Sequence, residues 1–202
     1  FTPGFSPRSV NSGSNLRFRA RLRLTLVGLR RDSRRLMEQG WFFFGQIGAG
    51  KSSLGAAAAR AWGIPFHEGD EDLPPSAIAA IKERRPFTDA LRDEFAAVLA
   101  DRISHLRQRH PQFILAQGLF YNRQRRALLA RHPDLRFVWI RAQTPILEER
   151  VSRRSHPLAD LAYARLANPH FEVPNIPHDV LENNGTEQEG LEKLSKILYL
   201  NE

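Results

Sequence analysis

The feature that most constrains this chain is the octapeptide Gly45-Gln46-Ile47-Gly48-Ala49-Gly50-Lys51-Ser52. It fits G-x-x-x-x-G-K-[ST] at every position and follows directly on the apolar run Trp41-Phe42-Phe43-Phe44. Glycine lets a backbone curl tightly between a strand and a helix. A helix opening at Lys51 would turn its unpaired N–H groups and its positive dipole end toward the enclosed space. A buried strand feeding such a turn belongs to a βαβ unit, so the motif predicts a parallel sheet as well as a loop.

The rest of the chain carries the same alternation. Short apolar runs at Ile64–Phe66, Phe113–Gln117, Leu135–Arg141 and Val180–Leu181 read as strands. Between them the spacing predicts helices over Lys51–Trp62, Pro75–Arg84, Asp89–Arg109, Asn122–Arg131 and Thr144–Arg154, and a last helix after the turn Asn183-Asn184-Gly185. In the longest helix, Leu91, Phe95, Val98, Leu99, Ile103 and Leu106 share one face and read as core. The polar stretch after Arg154, with its His and Pro residues, reads as a mobile segment. The expected class is α/β: a three-layer fold with a parallel sheet flanked by helices and a small lid.

Phosphate chemistry follows from the motif. Gly45, Gly48, Ala49 and Gly50 supply backbone to a polyphosphate, Lys51 reaches its terminal phosphates, and the Ser52 hydroxyl completes the shell of a Mg²⁺ ion. ATP or GTP is the expected ligand; a Gly-rich turn without a ligand is the plain alternative. The run Glu68-Gly69-Asp70-Glu71-Asp72 follows the second strand, where strand ends converge on the crevice of such a sheet. Asp70 there can organise Mg²⁺ or take a proton from an attacking hydroxyl. No carboxylate ends the third strand, where Gln117 stands, so Ser52, water and the Asp70 region must supply the metal's oxygens. The histidines lack H-E-x-x-H spacing, and no Ser-His-Asp set is visible.

The Gly45–Ser52 loop, the run Glu68-Gly69-Asp70 with Asp72-Leu73 and Pro75, and Arg85-Pro86-Phe87-Thr88-Asp89 with Arg92 resemble the gluconokinases. These belong to the wider shikimate kinase-like group of small-metabolite kinases, and the similarity covers most of residues 41–185. The resemblance implies Gly45, Gly48, Gly50, Lys51, Ser52 and Ser53 for ATP, and Asp70 as base or Mg²⁺-organising group. Asp72 matches the Asp-x-Asp spacing of shikimate kinases. The chain departs from gluconokinases in carrying an extra residue and Pro74 in place of a His. It also has Ala116-Gln117-Gly118-Leu119-Phe120-Tyr121 where they carry Ser-Ala-Leu-Lys. The phosphoryl-transfer parts thus carry over, and the Lys that grips gluconate does not. Gly118 is similar to the glycine of the shikimate kinase substrate loop, and Arg123 and Arg126 on the next helix are candidates to hold a carboxylate.

Arg150, Arg153 and Arg154 share one helix face near the expected lid, where Arg150 and Arg154 are candidates to neutralise the transferred phosphoryl group. Asn184 resembles the adenine-loop position of small P-loop kinases, although Asn-Gly is also a plain turn. His156, Asn168, Phe171 and Glu172 resemble the gluconokinase lid pattern at a looser spacing and are not assigned to the site. The expectation is an ATP- and Mg²⁺-dependent kinase acting on a hydroxyl of a small anionic metabolite, a sugar acid or a shikimate-like acid. A nucleotide-binding regulatory module with little turnover and a nucleotide or dephospho-coenzyme A kinase are the alternatives.

Charge bears on partners. The formal net charge is +8, and residues 1–40 alone hold nine Arg against Asp32 and Glu38. An argument for a nucleic-acid surface therefore rests on that arm alone, too narrow a basis, so neither a nucleic-acid nor a membrane partner is expected. Residues 1–36 read as a basic extension, disordered or non-native, with the kinase domain at 37–202 beginning at Met37, the only methionine. A targeting leader and a functional basic arm are the other readings. Residues 22–29 are too short an apolar patch to span a membrane. With no cysteine anywhere, disulfides and thiolate metal sites are excluded, and the expected setting is cytoplasmic, as a monomer or homodimer.

Overall fold

The computed structural model describes residues 39–154 and 160–199. The reading of residues 1–36, and His156 of the lid pattern, lie outside them. Five strands form one parallel sheet in the order β2-β3-β1-β4-β5: β1 Gln39–Phe44, β2 Phe66–Glu68, β3 Gln112–Ala116, β4 Arg136–Arg141 and β5 Asp179–Glu182. The helices are α1 Lys51–Trp62, α2 Pro75–Lys82, α3 Asp89–Arg109, α4 Asn122–Arg131, α5 Thr144–Arg153, α6 Leu161–Ala167 and α7 Glu187–Tyr199. Single 3₁₀ turns cover Gly69–Asp72 and Asn168–His170.

β1 shows why the sheet is buried on both faces. Trp41, Phe42, Phe43 and Phe44 are all fully buried, and alternate side chains go to opposite layers. Phe42 and Phe44 join Leu99, Ile103, Phe113, Leu115 and Phe137, covered by α2, α3 and α4. Trp41 and Phe43 join Leu54, Ala58, Ile114, Val138, Leu194 and Leu198, covered by α1 and α7. Close approach of α1 depends on Gly55, where a Cβ would stand 2.2 Å from the Phe66 ring.

Several boundaries differ from the sequence reading by one or two residues, and two of them have a plain physical cause. The second strand begins at Phe66, paired with Ile114, because Pro65 has no N–H to give the ladder and contributes only its carbonyl, which accepts from Ile114 N at 2.8 Å. Helix α2 ends at Lys82, since Arg84 takes a left-handed φ of 54° and Arg85 N donates to Ala80 O at 2.8 Å, the closing pattern of a Schellman turn. Within the stretch read as mobile, residues 161–167 are helical: the Asp160 carboxylate caps α6 by accepting from Tyr163 N at 2.7 Å.

Because β1 lies between β3 and β4, the chain leaves the centre of the sheet in opposite directions on its two sides. The crevice this opens at the carboxyl ends of the strands is where the Gly-rich loop sits.

Candidate active site

The Gly45–Gly50 loop joins β1 to α1 without regular structure, and Gly48 and Gly50 adopt φ of 92° and 91°. A Cβ on Gly48 would lie 2.6 Å from Leu147 O, and one on Gly50 2.4 Å from Asn183 Nδ2, so both positions need glycine for conformation and for space. The buried Asn183 side chain donates to Ala49 O at 2.8 Å and ties the outer side of the loop to the segment after β5. Lys51 Nζ donates to Gln46 O at 2.9 Å. Burial lowers the Lys51 pKa to about 8, against the opposing pull of Asp70 and Glu68.

Gly48, Gly50, Lys51, Ser52 and Ser53 line one cavity of about 500 Å³ together with Glu68, Asp70, Gln117, Gly118 and Arg154. The same cavity is also lined by Leu73, Phe87, Arg92, Phe95, Tyr121 and Tyr163. Asp70 is held there by Gln117 Nε2 at 2.7 Å, so the residue that follows β3 in place of a carboxylate aims one instead. Glu68 closes β2 and accepts a hydrogen bond from Ser52; its own pKa is raised by burial. Arg92 donates to Asp89 Oδ1 at 2.7 Å and to the Tyr121 hydroxyl at 3.0 Å, with its guanidinium 4.1 Å from the Tyr121 ring centroid. Burial raises the Tyr163 phenol, with Asp70 adding to it.

The structure brings together Gly48, Gly50, Lys51, Ser52, Ser53, Asp70, Gly118 and Arg154. Gly45 and Ala49 shape the loop from behind, with Gly45 N donating to Gly118 O at 3.4 Å and Ala49 buried. Other expected site residues are not among those lining the cavity, and each has a polar partner elsewhere. Asp72 is gripped by Arg102 at 2.7 Å and His67 at 2.6 Å; burial opposes its charge, and these hydrogen bonds outweigh burial and hold its pKa below the usual carboxylate range. Arg123 pairs with Asp93, and Arg126 donates to Asn175 Oδ1 at 3.0 Å. Arg150 donates to Asn183 O at 2.9 Å and Gly185 O at 3.1 Å, strapping the turn after β5 to α5. Asn184 accepts from Gln143 N at 2.9 Å. Arg154, by contrast, faces the Asp70 and Glu68 charges, with burial lowering its own pKa.

Glu68, Arg92, Tyr121 and Tyr163 escaped the sequence reading as site residues. Glu68 lay in the Glu68-Gly69-Asp70 run already singled out, but its place at the end of β2 was hidden because the sequence reading ended that strand at Phe66. Arg92 lay in the Arg85–Arg92 run already singled out, whereas Tyr163 sits on a helix the sequence pattern did not show.

A family model described as shikimate kinase matches residues 47–168. The shikimate kinase of Caulobacter vibrioides (strain NA1000 / CB15N) is 31% identical over 156 residues, 67% of this chain and 74% of the relative. Among solved structures, a gluconokinase from Sinorhizobium meliloti 1021 superposes with a TM-score of 0.66 at 26% identity, covering 81% of this chain and 97% of the other. An unliganded sugar kinase from Janibacter sp. HTCC2649 shares the fold at a TM-score of 0.71 and 17% identity, over 81% and 96% of the two chains.

Proposed function

The chain belongs to the shikimate kinase family and is a small-molecule kinase, and on that premise we propose that it moves the γ-phosphoryl group of ATP to a hydroxyl of a small carboxylic acid, a shikimate-like acid or a sugar acid. The observation that carries this reading is the lining of one cavity. The phosphate loop with Lys51 and the aromatic residues with Arg92 line the same space, and Asp70, held by the Gln117 amide, bears on both the Lys51 ammonium and the Tyr163 phenol.

In this scheme the loop N–H groups and Lys51 hold the β- and γ-phosphates. Arg92 takes the carboxylate of the acceptor, for which its planar fork is suited. Asp70 accepts the proton of the acceptor hydroxyl as its oxygen bonds to the γ-phosphorus, while the bond from that phosphorus to the β-phosphate oxygen breaks and ADP leaves. Arg154 faces the equatorial oxygens on which charge spreads. The Ser52 hydroxyl with the Glu68 and Asp70 carboxylates offers hard oxygen donors that suit Mg²⁺, an ion that keeps several waters; among the described residues no group of three His, Asp or Glu competes for that role. Bound there, Mg²⁺ would neutralise phosphate charge.

The test is ADP release from Mg·ATP with shikimate and gluconate in separate arms and Lys51→Ala as the blank. Acceptor-dependent ADP formation is expected in one arm. In that arm, Asp70→Asn should lower kcat by about 10²–10⁴ with ATP affinity nearly unchanged. Tight ATP binding without turnover in either arm would displace the reading in favour of a regulatory module.

A further inference from the structure

Asn168 is the first residue of the 3₁₀ turn that follows α6, and its side chain grips the phosphate loop from above. Its Oδ1 accepts from Ile47 N at 2.8 Å and its Nδ2 donates to Ile47 O at 3.0 Å, so one amide satisfies both backbone groups of a single loop residue. Gln46 Nε2 adds a third bond, to Asn168 O at 3.3 Å. The pairing fixes which way the amide faces, because the N–H needs an acceptor and the carbonyl a donor.

The position of this grip within the loop matters. Lys51 is the side chain that reaches the β- and γ-phosphates, and its Nζ sits on Gln46 O, so residues 46 and 47 flank the γ end of the cradle. On its other side Asn168 continues α6, whose Leu166 and Ala167 line the cavity, as does His170, and whose Tyr163 lies within reach of the Asp70, Arg92 and Tyr121 charges. Just beyond, Phe171 anchors the segment to the sheet, stacked on Trp139 with ring centroids 5.8 Å apart. Asn168 therefore stands between the acceptor wall and the γ end of the loop, with its far side fixed.

We propose that Asn168 is a positioning residue for phosphoryl transfer, clamping the γ end of the phosphate loop to the helix that walls the acceptor site. The proposal rests on the kinase reading above. A clamp at that end affects binding of the γ-phosphate and leaves the α- and β-phosphates to the rest of the loop.

The experiment compares the full chain with Asn168→Ala and the near-isosteric Asn168→Asp, using calorimetric titration with Mg·ADP and with the Mg²⁺ complex of a non-hydrolysable ATP analogue. Asn168→Ala should weaken the ATP analogue about tenfold and ADP less than about twofold, with an unchanged melting temperature. Asn168→Asp keeps the acceptor for Ile47 N, loses the donor and brings negative charge beside the γ-phosphate, so its loss for the ATP analogue should be larger. It also serves if the alanine variant fails to fold. Equal weakening of both nucleotides, or none, would show a merely structural contact and overturn the proposal. A wild-type chain that binds neither nucleotide would overturn the kinase reading and this inference together.

Discussion

Lys51 is a cation held where a cation is costly. Burial brings its pKa down to about 8, and the Asp70 and Glu68 charges only partly restore it. A polyphosphate against the ammonium group would restore it further, so the bound state keeps its proton to higher pH than the free state. Below about pH 8 both states are protonated and affinity is flat; above it the free protein must take up a proton to bind, and affinity falls toward tenfold per pH unit. Calorimetric titration of Mg·ADP between about pH 7 and 9.5, in buffers of different ionisation enthalpy, should show proton uptake growing across that window. Lys51→Arg should abolish it, and an affinity flat across the window would show that Lys51 does not set it. At this scale the phosphate loop was fully legible, because its chemistry lies in backbone and in fixed spacing. The partners of Asp72, Arg123 and Arg126 were not, because Arg102, Asp93 and Asn175 lie 30 to 49 residues away in the chain. Gln117 was legible only as a missing carboxylate. Its replacement by Ala should free Asp70 and lower kcat about tenfold with little change in KM for ATP, consistent with the loss of one orienting hydrogen bond.

Among the elements, the loop between β3 and α4 depends on a residue that no sequence motif announces. Arg125 is fully buried, donates to Leu119 O, Phe120 O and Glu172 O at 2.8 Å each, and to Asn122 Oδ1 at 3.0 Å. Its guanidinium lies 4.5 Å from the Phe171 ring and 5.0 Å from that of Phe44, and burial lowers its pKa to about 10. This fork holds Leu119 in a left-handed conformation with φ of 43° and ties the acceptor wall to the segment beyond α6. Arg125→Lys keeps the charge but gathers its donors on one nitrogen in place of the planar fork, leaving at least two of the three backbone carbonyls without their partner. At ~1–3 kcal/mol for each, the variant should be destabilised by about 3 kcal/mol in urea unfolding, with KM for the acceptor raised. A loss below about 1 kcal/mol would mean that water replaces the fork. Arg125 read from sequence only as part of a basic helix. Most helices were placed to within two residues by apolar spacing, while α6 was hidden because seven residues bury too little to imprint a period.

At the scale of the whole molecule, the charge of the chain and its chemistry separate. The chain divides between Met37 and Glu38 into two units. Of the 30 basic and 22 acidic residues, nine Arg and Asp32 lie in residues 1–36, so residues 37–202 carry no net charge and the first 36 carry +8. The run Trp41–Phe44 announced a strand covered on both faces, whereas its place between β3 and β4 rests on strand pairings that the sequence reading did not give. Among the described residues, those lining the cavity run from Ile47 onward. A chain starting at Met37 should therefore bind Mg·ADP with the affinity of the full chain. It should also gain the same thermal stabilisation from saturating nucleotide, about 2.7 kcal/mol at a concentration of 100 Kd. The full chain alone should bind heparin, with a steep loss of binding between about 50 and 200 mM salt, as neutralised polyanion charges release counterions. A Met37 chain that fails to fold, or that keeps heparin affinity, would show instead that the first 36 residues and the kinase fold are one functional unit.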